Sequence, residues 1–291
     1  MERPPGRGPV ARIEENLTRE FADALRAGKP HARIDALGYA SFADSLVEGI
    51  DADAVRKVFE SADSREAGSG QPRLYAAHSD TMLLVNVFAP WLGDLAALEL
   101  LGLRGFRDLR FEVRLPPVAG ESVALLHALL IAPDGLVGIE SGCTDFLSGH
   151  PVNFPDALHG FWDQREENGW RREMRALQDG DSGYARLDAA RLVKQYMGLR
   201  LLLEAAAGDD GQLPPATLLY LYWEPLNSAR FEECDEHRAE IRRFTDSVAG
   251  AEIGFAAMSY FDLWAAWAQG TAPPWLALHL TRLHQRYSFR I

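Results

Sequence analysis

Residues 121–146 read ESVALLHALLIAPDGLVGIESGCTDF, and the fold turns on this stretch. Two apolar runs, residues 123–131 and 136–140, flank Pro133-Asp134-Gly135. Proline presets φ, aspartate bonds its own backbone and glycine accepts a positive φ, so the tripeptide closes a hairpin. The second run stays apolar until Glu140, which is followed by Ser141, Gly142, Cys143, Thr144 and Asp145. A carboxylate at the end of a buried strand is hydrogen-bonded, metal-bound or strained, because an unpaired charge there is costly.

Ahead of the hairpin, residues 109–115 (LRFEVRL) alternate apolar and charged, which predicts a half-buried strand. The alternation sets Glu112 on one face with Arg110 and Arg114, as a surface charge ladder or as a third carboxylate of the site. Residues 78–90 (HSDTMLLVNVFAP) predict a helix capped at Ser79 or Asp80, with Asn86 a hydrogen-bonded polar group in its apolar body. Residues 92–101 suggest a second helical piece ended by Gly102. Earlier still, apolar spacing predicts a helix over 13–27 and one or two more over 41–61, with Asp51 as an N-cap. Residues 1–10 are rich in Pro and Gly and are expected to be disordered, and 62–72 form a polar loop.

After the hairpin, a mixed helix is expected near 161–177 and a strong one over 188–207. A buried strand follows at 216–223 (ATLLYLYW), continuous and aromatic rather than alternating. The remainder reads as helices over 231–248, 255–268 and 274–287. The first of these carries Glu232-Glu233-Cys234-Asp235-Glu236-His237, whose spacing fits an acidic helix face better than a metal site.

The hairpin resembles the catalytic hairpin of the PD-(D/E)XK restriction-endonuclease-like nucleases, and more narrowly a bacterial restriction-endonuclease branch of them. Val137-Gly138-Ile139-Glu140-Ser141 matches the strand that carries the motif carboxylate, and Thr144-Asp145 its end. Asn86-Val87-Phe88-Ala89-Pro90 and the segment Arg191–Tyr196 match flanking strings, and the order hairpin, long helix, strand is that of the family's core. The resemblance covers 76–291. It implies an α/β fold, a restriction-endonuclease-like mixed sheet flanked by helices with extra helices at both ends, behind an N-terminal helical extension over 1–75. It implies hydrolysis of DNA phosphodiesters with Mg²⁺ or Mn²⁺ as the divalent metal. Two positions depart from the pattern: His127 stands where the metal-binding Asp belongs, and Gly142 where the catalytic Lys belongs.

Those departures shape the functional expectation. Magnesium demands hard oxygen ligands, whereas an imidazole nitrogen suits Zn or Mn better. Losing one electrostatic donor costs roughly 10²–10³ in rate. The expectation is therefore a nuclease-derived protein with impaired chemistry, serving in binding or assembly. The alternative is an active endonuclease with a rearranged site, in which Glu140 and Lys194 are catalytic and His127 and Glu140 hold the metal. Competing readings make Lys194 a surface lysine with its stem along the helix and His127 a strand histidine bonded to backbone or to Glu140. There is no Walker loop, dinucleotide fingerprint, HExxH or nucleophile elbow.

Composition sets the remaining bounds. A chain of 291 residues with 47% hydrophobic and 25% charged residues is long enough and ordinary enough to bury a large core. Two cysteines build no disulfide framework, and no signal sequence is apparent, so a cytoplasmic location is expected. No apolar run is long enough to span a membrane. The net charge of −12 lowers the prospect of DNA as a partner, although Arg104, Arg107, Arg110 and Arg114 cluster before the hairpin; a protein partner stays open.

Overall fold

The computed structural model describes residues 41–61, 76, 78–118, 123–147, 150, 156–163, 165–207, 212–270 and 273–291, together with a few helical positions between 15 and 23. The expectations for 1–10, 62–72, most of 13–27 and the loop at 120–122 lie outside the described residues.

A five-stranded sheet organises the chain, in the order β1-β2-β3-β4-β5. The strands are β1 (Asp108–Arg114), β2 (Leu125–Ala132), β3 (Gly135–Gly142), β4 (Ala216–Tyr222) and β5 (Ile253–Ser259). The first three form an antiparallel meander, while β3, β4 and β5 run parallel. The predicted hairpin is present, with Ala132 paired to Gly135 around a two-residue Pro133-Asp134 turn. Glycine is required at 135, since a Cβ there would lie 2.9 Å from the Pro215 carbonyl oxygen at the entry to β4.

Seven helices of two turns or more accompany the sheet among the described residues: α1 (Ala52–Ser61), α2 (Asp80–Phe88), α3 (Gly169–Asp179), α4 (Ala189–Ala206), α5 (Glu232–Val248), α6 (Tyr260–Gln269) and α7 (Leu276–Tyr287). Their starts follow the capping signals. Asp51 accepts from the Asp53 and Ala54 amides, Ser79 from Met82 and Asp188 from Arg191, each satisfying a donor that the first turn leaves open. Parallel neighbours need long crossovers, and α4 supplies the one between β3 and β4, as α5 does between β4 and β5.

The helices make two layers. On one face α2, α6 and α7 pack with Leu46, Val55 and Phe59 against Phe111, Leu130 and Ile139. Residues 41–61 of the N-terminal extension thus share the core of the sheet, and Phe59 stacks on Phe111 at 5.7 Å. On the other face α3, α4 and α5 pack through Trp170, Leu199 and Phe244 against Leu129 and Leu218. The architecture is mixed α/β, a sheet between helices. No helix of the described residues is long and apolar enough to cross a membrane.

Several expectations need correction. The segment after α2 is not a second α-helix but two 3-10 turns, Ala89–Gly93 and Leu95–Ala97, where Pro90 disfavours a continuous α ladder. The mixed helix near 161–177 is split into a 3-10 turn, Asp156–Trp162, and α3. Residues 255–259, expected to begin a helix, are most of strand β5, and the helix starts at the Ser259/Asp262 capping box.

Candidate functional site

The charge ladder expected along β1 is broken at its centre. Glu112 has φ +53°, which turns its backbone out of the pleat. The β1–β2 register pairs Phe111 with Ala128 and Val113 with Leu126 and skips Glu112 and His127 between them. Residues two apart on a regular strand share a face. Here Phe111 and Ala128 belong to one core cluster, whereas Val113 and Leu126 belong to the other. The ribbon inverts at this row, and Glu112 accepts a hydrogen bond from the Thr81 hydroxyl of α2 at 2.6 Å instead of standing beside Arg110 and Arg114.

The same row brings His127 to Glu140. The β2–β3 ladder pairs Ala128 with Ile139, and one step further His127 Nδ1 lies 3.0 Å from Glu140 Oε2. Both are buried, at 5% and 3% exposure. From the facing layer, α4 presents Arg191 and Gln195 one turn apart, on the same helix face. Arg191 Nε reaches Glu140 Oε1 at 2.8 Å. Gln195 Nε2 donates to Glu140 Oε2 at 2.6 Å and to the Leu125 carbonyl at 2.7 Å. Both carboxylate oxygens therefore have a charged or polar donor against them. Burial alone would raise the Glu140 carboxyl, but Arg191, His127 and Gln195 outweigh it and hold its pKa below the usual range.

His127 Nδ1 has two claimants, because the Ser141 N–H also lies 3.0 Å from it. A proton on Nδ1 donates to Glu140; a lone pair there accepts the Ser141 amide. Burial depresses the imidazole, yet the Glu140 carboxylate more than offsets it and the pKa is raised above the ordinary histidine value. The ion pair holds below that raised pKa; a neutral imidazole with its lone pair on Nδ1 accepts the Ser141 amide.

On the opposite face of β3, toward α2, Ser141 Oγ donates to the Asp80 carbonyl at 2.9 Å and lies 2.6 Å from the Tyr260 hydroxyl. Asp80 Oδ1 accepts the Cys143 N–H at 2.5 Å. Burial and the neighbouring Asp145 carboxyl push the Asp80 pKa well up. Arg191 Nη1 is 3.9 Å from Asp145 Oδ2 and ties the two halves of the cluster together.

The predicted site residues are thus distributed as follows. Glu140 and His127 are brought together. Lys194 lies half-buried on α4, but the cation against Glu140 is Arg191, three positions earlier on that helix. A Cβ on Gly142 would meet the Tyr220 hydroxyl at 2.7 Å, so the tyrosine of β4 fills the space beside that position. Among the described residues no group of three or more His, Cys, Asp or Glu side chains is arranged to hold a metal ion. In the acidic run of α5, His237 is fully buried, stacked on Phe146 at 4.5 Å and pushed down to about 3 by desolvation, then by Arg238 and other nearby cations. Sequence reasoning missed Arg191, Gln195 and Asp80. The available signal was the spacing of Arg191 and Gln195, one turn apart on the helix.

No protein-family model, no curated protein and no solved structure matches the chain.

Proposed function

We propose that this protein is a restriction-endonuclease-like scaffold whose hydrolytic site has been rebuilt as an internal ion-pair network, and that it acts by binding rather than by cleaving DNA. The observation that carries this reading is the saturation of Glu140: Arg191, His127 and Gln195 occupy both oxygens that a catalytic metal would need. Magnesium binds through oxygen ligands and retained water in octahedral geometry. A guanidinium and an imidazole turned onto the β3 carboxylate do not fit that donor set. The order meander, long helix, parallel strand accords with the hairpin resemblance. The space filled by Tyr220 at Gly142 supports loss of the lysine at that position.

A protein partner suits the surface better than a phosphate backbone. The net charge is −12. Within the arginine cluster before the hairpin, Arg104 pairs with Glu99 and Arg110 with Asp108. Cations already neutralised release fewer counterions on a nucleic acid.

The test is plasmid cleavage with Mg²⁺, Mn²⁺ and Zn²⁺ in turn, comparing wild type with a His127→Asp, Gly142→Lys, Tyr220→Ala triple variant. The third change opens the space that the lysine needs. A silent wild type is expected. Cleavage by the wild type that is lost in Glu140→Ala would establish the rearranged-site alternative and end this proposal.

A further inference from the structure

The two edges of the sheet are built differently. β1, at one end, carries Asp108, Arg110, Glu112 and Arg114 and is kinked by the positive φ of Glu112. Charges and a kink on an edge strand block pairing with another chain. β5, at the other end, reads IGFAAMS, with no charge and no proline. Among the described residues it pairs only with β4 and no strand covers its outer side. Every residue from Gly254 to Ser259 is half-exposed. In a parallel ladder, alternate residues turn their N–H and C=O away from the neighbouring strand, so this edge presents unpaired backbone groups along an apolar strip.

We propose that β5 is a homodimerisation edge, pairing antiparallel with β5 of a second copy about a two-fold axis at Ala256. An isologous contact must be complementary to itself. Centring on Ala256 pairs the whole strand with its copy and sets Phe255 opposite Ala257, Gly254 opposite Met258 and Ile253 opposite Ser259. Each large side chain then faces a small one. The faces agree as well, since Phe255 and Ala257 lie toward one core cluster and Ala256 and Met258 toward the other. The flanking acids are bonded within their own chain, Glu252 by Arg200 and Tyr196 and Asp262 by the Ser259 hydroxyl. Met258 also borders an apolar groove of about 430 Å³ lined by Trp91, Leu101, Leu263 and Trp267, which extends the apolar surface beyond the strand. The result is a ten-stranded sheet running through the dimer. The inference is independent of the Glu140 reading: failure of either leaves the other standing.

Light scattering after gel filtration is expected to give twice the chain mass of 32.3 kDa for the full-length wild type. Ala256→Lys places two ammonium groups side by side at the axis, and juxtaposed like charges should weaken the dimer roughly 100-fold. Far-UV circular dichroism checks that the variant is folded. Independently of that variant, Ala256→Cys should form an intermolecular disulfide on mild oxidation, because paired Cα atoms on antiparallel strands fall within disulfide range. Ser259→Cys should not, because its copy is displaced along the strand. A wild type that is monomeric at every concentration tested overturns the proposal. So does a dimer that survives Ala256→Lys and yields no crosslink at position 256.

Discussion

Replacing Arg191 by Met removes the guanidinium from Glu140 while keeping most of the aliphatic stem. The Nε–Oε1 separation is 2.8 Å, and a pair at that distance interacts by roughly 6 kcal/mol at an effective dielectric of about 20. Desolvation of both groups offsets much of this in the intact protein. Removing one partner leaves a buried carboxylate exposed to the full penalty, about 3–5 kcal/mol. Two features reduce that figure. The Arg191 side chain is 35% exposed and so partly screened, and His127 and Gln195 continue to bond Glu140 Oε2. The expected cost at pH 7 is about 2–4 kcal/mol, read from urea unfolding, with a fall in Tm of about 2 °C per kcal/mol. Adding Glu140→Gln should recover most of it, because an amide needs no cation. The cost should also shrink as pH falls into the ordinary carboxylate range, about 4, because losing Arg191 removes the main influence that lowers the Glu140 pKa. A cost under about 1 kcal/mol at pH 7, or a double variant no more stable than the single one, would refute the argument that Arg191 keeps this carboxylate charged in the core.

Three further outcomes follow from the same cluster and its supports. The His127 imidazole should titrate above the ordinary histidine value by NMR, and below it in Glu140→Gln; because its folded pKa is raised, its contribution to stability is complete below about pH 6.5 and is lost as pH rises through the folded value. Asp80→Asn should stabilise the protein by about 1 kcal/mol at pH 7, since the amide keeps the bond to the Cys143 N–H and removes a buried carboxyl whose charged form burial and Asp145 disfavour. With a raised carboxyl pKa, that gain should vanish below about pH 4, where wild-type Asp80 is protonated in both folded and unfolded chains, and denaturant melts across pH 4–8 will show it. Asn86→Ala should cost about 3 kcal/mol by urea unfolding, because Asn86 Oδ1 accepts the Val47 N–H at 2.7 Å and its Nδ2 donates to the Ser45 carbonyl and the Tyr287 hydroxyl.

The parts of the fold legible in the sequence were those set by local chemistry. Pro133-Asp134-Gly135 announced the hairpin, Ser79 or Asp80 and Asp51 announced helix starts, and the run at 216–223 announced the buried strand found over Ala216–Tyr222. Asn86 behaves as the hydrogen-bonded core polar group that its apolar surroundings suggested. What escaped was decided by contacts distant in sequence. Ala256 and Ala257 favour helix, and β5 exists because β4 offers it a ladder. The inversion at Glu112 is a backbone choice that an alternating pattern conceals. Glu240 lies in a helix whose charges cover most of its surface, yet it is buried and accepts the N–H groups of Ala185, Arg186 and Leu187 at 2.7–2.8 Å. In the site, the strand positions of His127 and Glu140 were readable from the hairpin register. Their engagement by Arg191 was not, because it depends on how α4 docks.

The most direct test of the central claim is a calorimetric titration of Mn²⁺ into the wild type and Glu140→Ala at pH 7. If Glu140 is held by Arg191, His127 and Gln195, the two proteins give the same heats. A wild-type binding isotherm that disappears in Glu140→Ala would show the carboxylate free to take a metal, and would contradict the account.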